Sequence, residues 1–161
     1  MRYSNAAAVA LAMLIATSAN GEQTDPKKLK DQLTGDAKGS ASANAQCKLF
    51  TQAEISTYVG GQVGPGENFT GGMGCRWSDK DSKVSARVSV VPPRYFPEPK
   101  LAKGFKRLPG VGSKGWVAQD MGWSAAALFQ DEAIVVGVSG KAATEALAIR
   151  LLQEAIKRRK K

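Results

Sequence analysis

Apolar positions recur along this chain in two rhythms. Over residues 83–91, KVSARVSVV, they alternate strictly, with Val84, Ala86, Val88 and Val90 on one side and Ser85, Arg87 and Ser89 on the other. That is the period of an antiparallel strand with one face on a core and one in water. Over residues 139–161, SGKAATEALAIRLLQEAIKRRKK, the spacing is helical, and Leu147, Leu151, Leu152, Ala155 and Ile156 share one stripe. Lys157 to Lys161 then stand at the end where the helix dipole favours cations.

Shorter signals fill the space between. In FTQAEISTYVGG, Thr51 and Glu54 have the spacing of a capping box and Gly60-Gly61 that of a stop. The prediction is a short helix over 52–59 with Ile55, Tyr58 and Val59 turned inward. GQVGPGENFTGG, residues 61–72, is a glycine-rich stretch without the order of a phosphate-binding loop, and it reads as an ordinary mobile loop. Met73 to Ser78 reads as a strand that forms a hairpin with 83–91 through the polar turn DKDS. The prolines of PPRYFPEPKLAKGFKRLPGVG, residues 92–112, exclude a central strand, so this segment is expected to cross between halves of the domain with at most a turn of helix near Pro99 to Phe105. KGWVAQD, GWSAAALFQ and DEAIVVGVSG supply three further strands, the last entered through a turn at Asp131-Glu132. The expected fold is α+β: an antiparallel sheet of about four or five strands, with a short N-terminal helix and a long C-terminal helix packed on one face.

The first residues modify this picture. Arg2, the apolar run Ala6 to Ala16 and the small residues Thr17-Ser18-Ala19 have the order of an export signal, and the run is too short to cross a bilayer. The predicted organisation is a signal peptide over 1–19, a flexible leader over 20–46, and a single domain over 47–161 ending in a basic tail. Loss of Arg2 with the signal lowers the formal charge from +9 to about +8. A basic chain outside the cytoplasm, periplasmic or secreted, is expected to meet anionic surfaces. No membrane span is expected in the mature chain, and no specific nucleic-acid partner.

Two cysteines in an oxidising compartment form a disulfide by default, and Cys47 to Cys75 would close a loop of about 28 residues. The same pair read as a thiolate and its resolving partner would need a pKa-lowering setting, and no C-x-x-C is present.

The chain has no histidine. This removes histidine-based triads and bases and the commonest metal ligand, so no catalytic residue, cofactor or metal ligand is assigned. Glu54, Glu67, Asp79, Asp81, Asp120, Asp131 and Glu132 fall mainly in caps and turns, whereas a glycosidase-type hydrolase needs two carboxylates facing one cleft. The best candidate surface lies in the crossing segment, where Arg94 and Tyr95 precede Lys103, Phe105, Lys106 and Arg107. Cations there can meet an anionic partner while the aromatics pack on it. Trp116 and Trp123 join this set as possible interface anchors, and Trp77 is assigned to the core beside the disulfide. The competing reading makes these aromatics core residues and these cations ordinary solvated surface. The basic tail offers only weak, unselective attraction to anionic lipid or polymer.

CKLFTQAEISTYVG, CRW, the alternating strand after it, LPGVGSKGW and the closing ALAIRLL together resemble a family of small exported proteins of unknown function, best known among actinobacterial lipoproteins. The resemblance covers roughly residues 46–155. It implies that Cys47 and Cys75 take the places of the family's two cysteines and Trp77 that of its C-x-W tryptophan, and it implies no catalytic residue. This chain lacks a lipid-acceptor cysteine near the predicted cleavage point. The expected function is an exported, non-enzymatic binding or accessory protein that recognises an acidic protein surface or an anionic envelope polymer or lipid. The alternatives are an enzyme inhibitor or secretion-accessory protein, a structural envelope protein held by bulk charge, and a histidine-free hydrolase.

Overall fold

The computed structural model describes residues 41–160. The predicted signal peptide and most of the predicted leader lie outside the described residues. Seven strands form one antiparallel sheet: β1 (Glu67–Phe69), β2 (Gly74–Ser78), β3 (Ser85–Val91), β4 (Lys103–Arg107), β5 (Lys114–Gln119), β6 (Trp123–Leu128) and β7 (Ala133–Ser139). Their order across the sheet is β1-β2-β3-β7-β6-β5-β4. Two hairpin ribbons, β1-β2-β3 and β4-β5-β6-β7, thus join where β3 pairs with β7. Among the described residues no helix is long and apolar enough to cross a membrane.

Two helices, α1 (Gln52–Val59) and α2 (Glu145–Arg159), pack on one face. Thr51 and Glu54 close the capping box of α1, and Gly60 ends the helix in the left-handed region at φ 65°. Thr144 caps α2 by accepting from the Leu147 amide. The inward residues Ile55 and Val59 of α1 and Leu151, Leu152 and Ala155 of α2 meet Val88, Val117, Val136 and Trp77 of the sheet in one buried cluster. Burying these side chains supplies the main force for closing the two layers.

The helices are also tied by charge. Arg158 on α2 donates to both carboxylate oxygens of Glu54, at 3.2 and 2.8 Å, and to the Leu49 carbonyl at 2.6 Å. The hydrogen bond from Arg158 is the largest cause that lowers the Glu54 carboxyl from 4.5 to about 2, followed by that from the Thr51 amide. Because the folded-state pKa is depressed, this contribution is present above pH 4.5 and is lost as the pH falls toward 2. The Glu54 side chain is 40% exposed, so screening reduces the effect to about 1 kcal/mol. Glu54→Gln, which keeps the capping geometry, is expected to cost that amount at pH 7. The difference between variant and wild type should vanish near pH 2, as measured by urea unfolding across the pH range; a pH-independent difference would mean that the charge is not its source.

The sheet has seven strands where four or five were expected, and the two additional strands are its edges. β1 is three residues long and sits inside the glycine-rich stretch, too short to show a period. That stretch is held along the sheet: Phe69 opposes Gly74, and the Gly64 amide donates to Ser78. β4 replaces the helical turn expected near Pro99 to Phe105. Its charged sequence KGFKR, its bulge between Lys103 and Lys106 and the left-handed Gly104 are what an unpaired edge requires to discourage another chain from adding to it.

The face opposite the helices is not simply wet. Trp116, Ala118 and Ala126 form a second cluster there, covered by Phe96, Ala102, Phe105 and Val135. The crossing segment therefore lies over one half of this face, and Ser89 on β3 is 6% exposed although it falls on the predicted polar side. At the start of the described chain, Asn44 is buried, and its side-chain amide donates to Asn68 Oδ1 and the Gly74 carbonyl. The end of the segment read as leader is thereby fastened to β1 and β2.

Candidate functional site: two arginines across a hairpin

The residues selected from the sequence do not form one surface. Trp116 is buried at 2% exposure and its indole N–H donates to the Pro97 carbonyl at 2.6 Å. It holds the crossing segment to the sheet, which removes it from any contact surface. Phe105 is half-buried, with its ring 6.4 Å from that of Trp116. Tyr95 is 57% exposed beneath the Arg94 guanidinium, 4.9 Å away, on a single turn at Pro93–Tyr95. Lys106 opposes Val117 and Arg107 opposes Trp116, so these two cations point to opposite faces of β4. Lys106 pairs with Glu145 at 2.6 Å and Arg107 with Glu98 at 3.0 Å. Lys103 is exposed and Trp123 is half-buried against the main core. Among the basic tail, Arg158 is engaged as described and Arg159 pairs with Glu132 at 2.6 Å. Much of the local positive charge is paired with carboxylates of the same chain.

A different constellation lies on the uncovered half of the second sheet face. Arg76 on β2 and Arg87 on β3 are direct cross-strand partners, as are Arg87 and Gly137 on β7. They line a cavity of about 320 Å³ together with Phe69, Ser85, Ser124 and Ser139, and Met121 stands at its rim. Like charges directly opposite each other across a strand pair are destabilising. The two heads part company: Arg76 leans toward β1, 5.7 Å from the Phe69 ring centre and 3.6 Å from Glu67, while Arg87 reaches over β7 to Ser124 Oγ at 3.4 Å. Arg87 is half-buried, and no carboxylate among the described residues pairs with it.

Gly137 makes this arrangement possible. A β-carbon there would stand 2.7 Å from Arg87 Nε and 3.2 Å from its Cγ, so only glycine lets the arginine stem lie flat across β7. Ser85 and Ser139 share a hydrogen bond of 2.8 Å between their hydroxyls. One of the two hydroxyl protons is used in that bond and the other is left for a ligand. Asp120 also lines the cavity, from the exposed β5–β6 turn, where Met121 adopts φ 46° and is 93% exposed.

The expected turn at 79–82 would have set Arg76 against Ser85. The observed connection runs over 79–84, which sets Ser78 against Ser85 and Arg76 against Arg87, so the pair could not be read from the sequence. Of the residues selected from the sequence, Trp123 alone lines the cavity.

The cysteines form a disulfide, Cys47–Cys75, at the back of the same strand. Cys75 and Trp77 face the helices while Arg76 between them faces the cavity. The two sulfurs are therefore a staple beside a buried indole, and no free cysteine occurs among the described residues. Also among these residues, no group of three or more metal-ligating side chains of the His, Cys, Asp and Glu type converges. Glu54 and Glu154 line a second cavity, where they share Arg158. Compared with family models, curated proteins and solved structures, the chain finds no match.

Proposed function

We propose that this protein is an exported, non-enzymatic binding or accessory protein that captures an anionic group of an envelope component or an acidic protein face in the cavity lined by Arg76 and Arg87. The observation that carries this reading is the half-buried Arg87, without a carboxylate partner among the described residues and directly across the hairpin from a second arginine. An anion in this cavity gains charge-assisted hydrogen bonds from Arg87, which lies across Gly137 with Ser124 at its tip, and screens it from Arg76. The disulfide supports the exported part of the reading, as does the resemblance of the CKLFTQAEISTYVG and CRW segments to an exported family.

The hydrolase alternative finds little support. The two carboxylates that share a cavity, Glu54 and Glu154, are both held by Arg158, and Glu54 is lowered to about 2, opposite to what a general acid needs. The bulk-charge alternative is weakened by the ion pairs of Lys106, Arg107, Arg158 and Arg159.

Titration calorimetry at low salt with two probes, a hexaglutamate peptide and inorganic phosphate, tests the site. At least one probe is expected to bind wild type and the Lys103→Ser/Lys106→Ser/Arg107→Ser variant alike, and to lose about tenfold in affinity on Arg87→Gln. Binding that disappears in the triple variant and persists in Arg87→Gln would move the site to β4. Absence of binding for both probes would sink the proposal.

A further inference from the structure

We infer that one end of the sheet is a contact surface for an anionic lipid bilayer, with Leu101 and Met121 entering the interface and lysines around them meeting the headgroups. Leu101 is 102% exposed and Met121 93%, against 57% for Tyr95 and 36% for Met73, the other exposed large apolar side chains among the described residues. A single exposed leucine is ordinary. Two on neighbouring turn tips are a surface.

The register of the sheet puts them at the same end. Lys103 on β4 pairs with Gln119 on β5. Leu101 stands two residues before Lys103, in the turn closed by the Ala102 amide donating to the Pro99 carbonyl. Met121 stands two residues after Gln119, in the turn closed by the Asp120 amide donating to the Gly122 carbonyl. Two residues of chain reach at most about 7 Å, so both tips lie just beyond the Lys103–Gln119 pair. The connection over 79–84 and the turn after β7 finish at this end too, because Ser85 pairs with Ser78 and Ser139, and Trp123 with Gln119 and Val138. Tyr95, after β3, and Met73, before β2, belong to the opposite end.

Charge selects the partner. Lys103, Lys80 in the 79–84 connection and Lys141 in the turn after β7 are exposed, and no carboxylate among the described residues pairs with them. Asp81 is taken by Lys83, and Asp79 accepts from the Val84 amide, which leaves Asp120 as the opposing charge beside the tips. A chain of net charge +9 is drawn to an anionic surface from a distance. Lysine stems then lie in the interface while their ammonium groups reach the headgroups. Two isolated side chains on separate turns would need two matched pockets on a protein, whereas a fluid interface conforms around each. Ser82, Asp120 and Met121 also line the Arg87 cavity, so a chain docked this way holds that cavity beside the headgroups.

The test uses residues 20–161, which contain every element of the fold, and sedimentation with vesicles of equal phosphatidylglycerol and phosphatidylcholine at low salt. Wild type is expected to sediment with these vesicles and not with pure phosphatidylcholine. Leu101→Ser and Met121→Ser should each weaken partitioning by about tenfold, and Lys103→Ser by about fivefold. Asp120→Asn should strengthen it, and Tyr95→Ser and Arg87→Gln should leave it unchanged. The serine changes fall at fully exposed positions and should melt with wild type. Leu101→Trp adds a direct reading of insertion: its added emission should shift to the blue with the anionic vesicles alone. Absence of wild-type sedimentation, or equal sedimentation of Leu101→Ser, Met121→Ser and wild type, would overturn the inference. Loss confined to Arg87→Gln would overturn it as well and move the lipid contact into the cavity. Sedimentation of wild type without vesicles, abolished by Leu101→Ser, would assign the tips to a second copy of the chain instead. Hexaglutamate titration of Leu101→Ser should match wild type, which keeps the fate of the cavity separate from that of the sheet end.

Discussion

Trp77→Ala is expected to lower the unfolding free energy by about 3–5 kcal/mol, the range for removing a fully buried large aromatic. The indole is 1% exposed on β2, one residue before its end, with the Phe50 ring edge-on at 6.4 Å. Gly66 closes over it so tightly that a β-carbon there would come 2.8 Å from the indole nitrogen. The packing leaves little freedom to collapse into the vacated space, which places the cost high in its range. Against a total stability of about 5–15 kcal/mol for a domain of this kind, that loss should be visible as a large fall in the denaturant midpoint with an unchanged slope. A loss below about 1 kcal/mol would show that the indole does not hold the hairpin to the helices.

The second large effect concerns the disulfide. Cys47→Ala/Cys75→Ala is expected to cost about 3 kcal/mol by releasing a loop whose ends are 28 residues apart in sequence. The crosslink joins the segment before α1 to the centre of the β1-β2-β3 ribbon, and Cys75 is fully buried. Reduction of the wild-type protein followed by urea unfolding should reproduce most of the loss, which separates the crosslink from the small change in side-chain volume. A reduced protein as stable as the oxidised one would assign the variant's loss to packing alone.

The elements legible in the sequence are those whose side chains alternate or repeat over several residues. β3 declared itself through Val84, Ala86, Val88 and Val90, and α2 through its leucine stripe, because one side of each must leave water. The capping box of α1 was equally local, with Thr51 and Glu54 three residues apart. β1 and β4 were missed for a common reason. An edge strand has only one neighbour, needs few apolar residues, and is protected by the glycines and charges that make it look like a loop. The same protective cations, Lys103, Lys106 and Arg107, drew attention as a binding surface, although the fold divides them between two faces and pairs two of them internally.

Trp116 shows how the second face was misread. A tryptophan after PGVGSKG has no local mark that separates an exposed anchor from a buried one. Its burial follows from the return of Pro97 across the sheet, a contact 19 residues away in the chain. Arg87 is the converse. Its position on the polar side of an alternating strand predicts solvent, yet the neighbouring strand offers Gly137 and the next offers Ser124, and together they turn a surface arginine into a half-buried one.

By itself, the order of residues determined the class of the fold, the two helices, the central hairpin and the availability of a single cysteine pair, since each depends on spacing within about a dozen residues or on simple counting. Tertiary structure alone decided which strands are edges, which face the crossing segment covers, and that Arg76 and Arg87 share a cavity with Gly137 and Ser124. Those outcomes depend on β3 pairing with β7, residues some 50 positions apart in the chain. Such a partnership is chosen by the burial of whole layers, and no local pattern records it.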